Sequence, residues 1–308
     1  ALRAPSRGPF SRQNPTASGV TSYEATYRSF FTPRCHFDLR QHVLTLLAAT
    51  THHARALPPS FVGSDNFNAA SLNTTNWTPL TLQGTASFSQ TGDGVVRYNA
   101  TTNGLVSDAA ALLWNSGPAP FAGDWSMQLD VANLRTIGTG QYFNVGIGVR
   151  QTSNLNNGFS VRLDATDGTP QSIGWESDKE SGGNTTMDRV NTAVTAGSVL
   201  LTWTAATHTL TAAFDANGPT GGYVWTGFST LDPTQAGTWN MLSSDSFAVV
   251  ITGSSNNANV VPGDGVTGDN FSITNSAAVI SSTVPEPGAC LLLLCGAMSF
   301  AGARVRRR

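Results

Sequence analysis

Between residues 61 and 284 apolar and polar side chains alternate with a period of two, broken at short intervals by turn residues. The pattern predicts strands at Thr85–Thr91, Gly94–Ala100, Ala109–Trp114, Trp125–Leu134, Tyr142–Arg150 and Gly158–Asp164. Further strands are expected at Gln171–Glu176, Val199–Thr204, Thr209–Phe214, Tyr223–Phe228, Phe247–Gly253 and Asp269–Thr274. In the fourth, Trp125, Met127, Leu129 and Val131 share one face; in the fifth, Phe143, Val145, Ile147 and Val149 alternate with Asn144, Gly146 and Gly148. Outward glycines in a strand mark close approach or strong curvature. Asp93-Gly94, Asn157-Gly158, Asp167-Gly168 and Asn217-Gly218 are strong turn dipeptides. About a dozen strands without a helix-length periodic segment predict an all-β protein of two stacked antiparallel sheets. No short-period repeat points to a propeller or solenoid.

Composition narrows the class further. Only 12% of the 308 residues are charged, too few for a coiled coil or charged disorder, and 40% are hydrophobic with 7 Trp among them. Charge is unevenly divided. Residues 1–60 hold seven arginines against Glu24 and Asp38, residues 61–284 hold sixteen acids against five arginines and Lys179, and residues 285–308 hold four arginines against Glu286. The middle is therefore acidic, which excludes a phosphate-binding surface and with it a nucleic-acid partner. Cys35, Cys290 and Cys295 all lie outside 61–284, so no disulfide staples the β region and its stability must come from a large core.

The carboxyl end has its own grammar. Pro285-Glu286-Pro287-Gly288 precedes an apolar run to Ala303, and Arg304, Arg306, Arg307 and Arg308 close the chain. A helix over this run would measure roughly 24 Å, short of the ~30 Å hydrocarbon core, though terminal arginines snorkel. The positive-inside rule keeps the arginines cytoplasmic and the β region outside. These residues resemble the PEP-CTERM sorting signal of Gram-negative bacteria. The resemblance implies an exosortase-type processing protease as partner, export across the inner membrane, transient anchoring there by the C-terminal helix, and a final place at the cell surface or in the extracellular matrix. Residues 39–60 hold a candidate signal peptide, with the apolar stretch Val43–Thr50 and Ala54-Arg55-Ala56 as cleavage site, while residues 1–38 read as an unstructured leader or upstream reading frame. The expected organisation is thus leader 1–38, signal and linker 39–60, β-sandwich 61–276, linker 277–284 and sorting tail 285–308.

The β region opens with Asp65-Asn66-Phe67 and Trp77, contains Leu200-Leu201-Thr202-Trp203, and closes with Gly268-Asp269-Asn270-Phe271-Ser272-Ile273. That order is similar to concanavalin A-like (laminin G-like) jelly-roll domains of bacterial surface proteins. The resemblance implies that the opening and closing strands lie side by side, and its members bind glycans, hydrolyse them or serve as structural surface modules.

Catalysis has one foothold. Glu176, Asp178 and Glu180 alternate, so on a strand they share one face, and alternation brings carboxyls towards the ~5–5.5 Å that retaining hydrolysis needs. The spacing resembles the Glu-x-Asp-x-Glu of laminarinase-like β-glucanases, which implies Glu176 as nucleophile, Asp178 as helper and Glu180 as acid/base. Ser177 and Lys179 stand where that family has hydrophobic residues, and Ser181-Gly182-Gly183-Asn184 follows at once. The segment therefore reads as an exposed acidic turn in which Lys179 neutralises its neighbours. His208, the sole histidine of the β region, is expected in a surface hairpin turn and supplies neither a zinc site nor a triad. No cofactor is expected, save a structural calcium if Asp65, Asp264 and Asp269 converge. Trp175, Tyr223, Trp225 and Trp239 offer flat faces for sugar rings, with Trp239, beside Gly237 and Asn240, the best placed for exposure. The sequence thus predicts a non-catalytic exported surface or matrix protein that engages polysaccharide, with a laminarinase-like retaining glycoside hydrolase as the alternative.

Overall fold

A computed structural model describes residues 61–101, 107–134, 140–166, 172–256 and 260–276. The sorting tail with Pro285, Glu286, Pro287 and its four arginines, the signal segment and the Asp167-Gly168 turn lie outside the described residues. Among the described residues no helix is long and apolar enough to cross a membrane.

The described chain forms two antiparallel sheets. In chain order the strands are β1 (Gly63–Asp65), β2 (Trp77–Gln83), β3 (Ser87–Gln90), β4 (Val96–Asn99), β5 (Ser107–Trp114), β6 (Ala119–Pro120), β7 (Trp125–Asn133) and β8 (Tyr142–Gln151). The second half supplies β9 (Asn154–Thr166), β10 (Ser172–Ser181), β11 (Asn184–Thr192), β12 (Ala196–Thr204), β13 (Thr209–Asp215), β14 (Thr226–Leu231), β15 (Ser246–Asn256) and β16 (Val266–Thr274). One sheet runs β14-β13-β12-β7-β16-β4-β3 with β1 on β16; the other runs β11-β10-β9-β8-β15-β5-β2 with β6 on β15. The chain passes repeatedly between the sheets, a jelly-roll-like sandwich. The opening and closing strands are neighbours, with Asp65 opposite Phe271.

Period-two alternation drives the stacking. Met127, Leu129, Val199, Leu201 and Ile273 of one sheet meet Phe143, Val145, Ile147, Val161 and Val249 of the other in a single core. All seven tryptophans are buried. Trp77 packs edge-on against Trp114 and Phe271 with ring centroids 4.9 and 4.8 Å away, and Trp175 stacks on Phe214 at 5.1 Å. Each fully buried large apolar side chain contributes about 1.5–3 kcal/mol, which stands in for the absent disulfides.

All twelve expected strands are present with shifted ends. Four were not anticipated: β1, β2, β6 and β11. Two turn assignments change. Asn157-Gly158 lies inside β9, and the β8–β9 connection is Thr152-Ser153 instead. Gly182 and Gly183, expected to begin a solvated loop, are the left-handed pair (φ 58° and 89°) of a tight hairpin joining β10 to β11. His208 is exposed in the β12–β13 turn as expected.

Candidate functional site on the outer face of the second sheet

The acidic segment is not a turn. Residues 172–181 form β10, an interior strand paired with β9 on one side and β11 on the other. Trp175, Ser177 and Lys179 face the other sheet, while Glu176, Asp178 and Glu180 share the outer face. Lys179 does not neutralise these acids; its Nζ pairs with Asp188 at 2.6 Å.

Arginines from neighbouring strands do that work. Cross-strand register places Arg162 of β9 and Arg189 of β11 on either side of Glu176. Arg162 Nε donates to Glu176 Oε1 at 3.0 Å and its Nη1 lies 2.7 Å from Asp178 Oδ2. Arg189 reaches Glu176 Oε2 at 3.0 Å and also pairs with Asp164. Arg150 of β8 holds Glu180 in a two-pronged grip, one prong at 2.7 Å. Arg150 and Glu180 belong to strands separated by β9, and the residue between them is Gly158, where an added Cβ would stand 2.7 Å from the guanidinium. Arg189 crosses β10 over Gly174 in the same way, an added Cβ there standing 2.7 Å from its Nε. Glycine in the middle strand is what allows an arginine to span three strands.

Burial sets the protonation of this lattice. Glu176 is 4% exposed, and burial pushes its carboxyl up, but Arg162 and Arg189 outweigh burial and hold it below the usual range. Burial, reinforced by the charge of Glu176, raises Asp164 to about 7 against the pull of Arg189. Burial raises Asp178 to about 6, opposed by Arg162 and aided by Glu176 and Glu180. Asp164 Oδ1 and Asp178 Oδ1 are buried with no hydrogen-bond partner, which favours the neutral carboxyl.

Beside the lattice runs a groove across the same sheet face. Its floor is aliphatic, from Leu80, Leu82, Leu113 and Val250, and its charged wall is Arg150, Arg162 and Glu180. Gly148 in β8 keeps the trough open, and Gly146 is packed so closely that an added Cβ would stand 2.1 Å from the Val161 carbonyl oxygen. The expectation that outward glycines mark close approach holds here.

The remaining expected site residues scatter. Trp239 is only 4% exposed and donates its indole N–H to the Glu180 carbonyl at 2.8 Å, so it is a core residue and not a sugar platform. Trp175 is likewise buried. Asp65 is consumed at the chain opening, accepting from the Phe67 amide at 2.9 Å and the Trp77 indole at 3.0 Å. Asp264 accepts from the Val261 amide within its own short turn at 2.9 Å, and Asp269 sits on the outer face of the first sheet. The three do not form a metal-binding group, and no group of three ligating side chains occurs among the described residues. The arginine partners were missed, because only strand register reveals that residues 150, 162 and 189 converge on one acidic row.

No protein-family model and no curated protein matches the chain. Among solved structures it is similar to an endo-1,3-β-glucanase from Streptomyces sioyaensis, at 13% identity and TM-score 0.45, covering 71% of this chain and 96% of that one. It is similar to the CBM2 module of the evolved Dit of Lactobacillus casei BL23 phage J-1, at 11% identity and TM-score 0.46, covering 71% and 96%. A winged bean acidic lectin in complex with methyl-α-D-galactose matches at 16% identity and TM-score 0.41, covering 71% and 100%. Likenesses of this strength assign no function to the chain.

Proposed function

We propose that this is an exported, non-catalytic surface or matrix protein whose sandwich engages extracellular polysaccharide along the groove of the second sheet. One observation carries the non-catalytic part: every carboxylate of the Glu176–Asp178–Glu180 row is ion-paired to an arginine of a neighbouring strand. A retaining glycosidase needs one carboxylate free to attack and a second that carries a proton to the leaving group. Glu176, in the nucleophile's place, is held by two guanidinium groups and nearly buried. An aliphatic floor beside a wall of charged donors and acceptors suits the C–H faces and hydroxyls of a sugar chain. The acidic balance of residues 61–284 favours neutral glycans over polyuronates.

The address is part of the same proposal. It rests on Pro285-Glu286-Pro287, the apolar run and the four terminal arginines, read as a sorting signal handled by an exosortase-type protease at the inner membrane of a Gram-negative-type bacterium. Deleting residues 285–308 is expected to shift the protein from the surface fraction to the periplasm; unchanged surface display would remove the sorting role. For the sandwich, retention on insoluble β-glucans and extracted exopolysaccharide without release of reducing ends is the expected result. Turnover that disappears in Glu176→Gln would establish the hydrolase reading instead.

A further inference from the structure

The outer face of the first sheet carries a second constellation that the groove does not use. Leu200 of β12 and Ala213 of β13 point away from the main core, yet they are 1% and 0% exposed. Trp225, from the connection between β13 and β14, lies over them, and Tyr223 stacks on Trp225 with ring centroids 4.9 Å apart and planes 10° from parallel. Trp225 is buried with the aliphatic pair, and Tyr223 packs against this cluster as a second ring that remains half-buried at the surface.

This pair is held rigidly. Asp215, itself 3% exposed, accepts from the Asn217 amide at 2.9 Å and from the Val224 amide at 2.8 Å, clamping both ends of the connection. Gly221 and Gly222, just before the rings, adopt positive φ with nothing within 4 Å of an added Cβ at either position. The Tyr223 hydroxyl donates to Asp130 Oδ1 at 3.3 Å, and Asp130 Oδ2 accepts from Asn270 Nδ2 at 2.8 Å. Asn270 is exposed and has a left-handed backbone, φ 49°, at a register break in β16. It belongs to the closing Asp269-Asn270-Phe271 motif, whose Phe271 serves the core while Asn270 turns out to this face.

We infer that Tyr223, with Asp130 and Asn270 beside it, forms a second saccharide subsite that takes a neutral hexopyranose. A flat, immobilised ring receives the apolar face of a sugar at little ordering cost, and amide and carboxylate groups at its edge match the ring hydroxyls. Asp130 and Asp269 make the patch acidic, which disfavours uronic or sulfated sugars. The two outer faces belong to opposite sheets, so one molecule carrying both sites cross-links two polysaccharide chains. The bivalent consequence rests on the proposed groove; the platform itself does not.

The full chain and its variants, screened by calorimetry against an array of neutral gluco-, galacto-, manno- and xylo-oligosaccharides, test this. Tyr223→Ala is expected to weaken binding of the preferred oligosaccharide at one of two sites by about tenfold or more, as for a truncated aromatic anchor. Tyr223→Phe keeps the ring and should bind within about twofold of the native chain, and an unfolding midpoint of Tyr223→Ala close to the native one shows that its loss of binding is not unfolding. If oligosaccharides bind and Tyr223→Ala changes neither affinity nor stoichiometry, the subsite is wrong while polysaccharide engagement stands. Binding that vanishes entirely in Tyr223→Ala supports the platform and removes the groove. No binding of any neutral oligosaccharide by the native chain overturns both.

Discussion

Glu176 shows how much a single buried carboxylate can hold together. It accepts from two arginines on opposite neighbouring strands, and Gln in its place would leave both guanidinium groups short of charge in a site with little water. Glu176→Gln is expected to cost about 3 kcal/mol in urea unfolding, whereas Glu180→Gln, a quarter exposed, should cost about 1 kcal/mol or less. Equal effects would mean the lattice is not centred on Glu176. The raised carboxyls of Asp164 and Asp178 predict a pH dependence with a definite sign. Both bind their protons more tightly folded than unfolded, so between about pH 4 and about pH 7 the folded state holds more protons and stability falls as pH rises. The urea midpoint should therefore decline across that window, and Asp164→Asn should flatten the decline. A midpoint that rises from pH 4 to 7 by the same amount in native protein and variant contradicts the assignment.

At the scale of elements, Gly158 and Gly174 are as much part of the site as the charges, because each lies beneath an arginine crossing its strand. Gly158→Ala is expected to displace Arg150, free Glu180, and lower stability by about 1–3 kcal/mol, with a smaller penalty once Arg150 is already Ala. Independent, additive effects in that double-mutant cycle would show that the crossing is incidental. The strands themselves were largely legible from alternation, and so was the common face of Glu176, Asp178 and Glu180. What defeated the reading of β10 and β11 was composition. Asn184–Thr192 is an edge strand with a single apolar residue on each face, Met187 and Val190, and so lacks alternation, while Gly182-Gly183 has the chemistry of a hairpin turn as well as of a loop. Asn157-Gly158 failed for the opposite reason. Its glycine is demanded by an arginine from the next strand, a tertiary cause invisible to local turn propensity.

For the molecule as a whole, the acidic, cysteine-free middle of the chain is a sandwich in which all seven tryptophans are buried. Trp239 illustrates the limit of reading exposure from sequence: flanking Gly237 and Asn240 signalled a loop, but the indole folds inward onto the Glu180 carbonyl. Tyr223 and Trp225 are near one another in sequence, yet their place on the outer face depends on the Asp215 clamp, which spacing does not reveal. A structural calcium is also a whole-molecule question. Asp65 already serves Phe67, Asn76 and Trp77, so a chelator is expected to leave the melting temperature unchanged; a drop of several degrees would require a site elsewhere in the chain.

The central claim, polysaccharide engagement without hydrolysis, is tested most directly by one co-sedimentation experiment on insoluble β-glucan and extracted exopolysaccharide, with reducing ends assayed in the same tubes. The protein is expected to pellet with the glycan, with reducing ends staying at the level of the protein-free control. Protein left in the supernatant, or reducing ends rising with time in the native protein but not in Glu176→Gln, would contradict it.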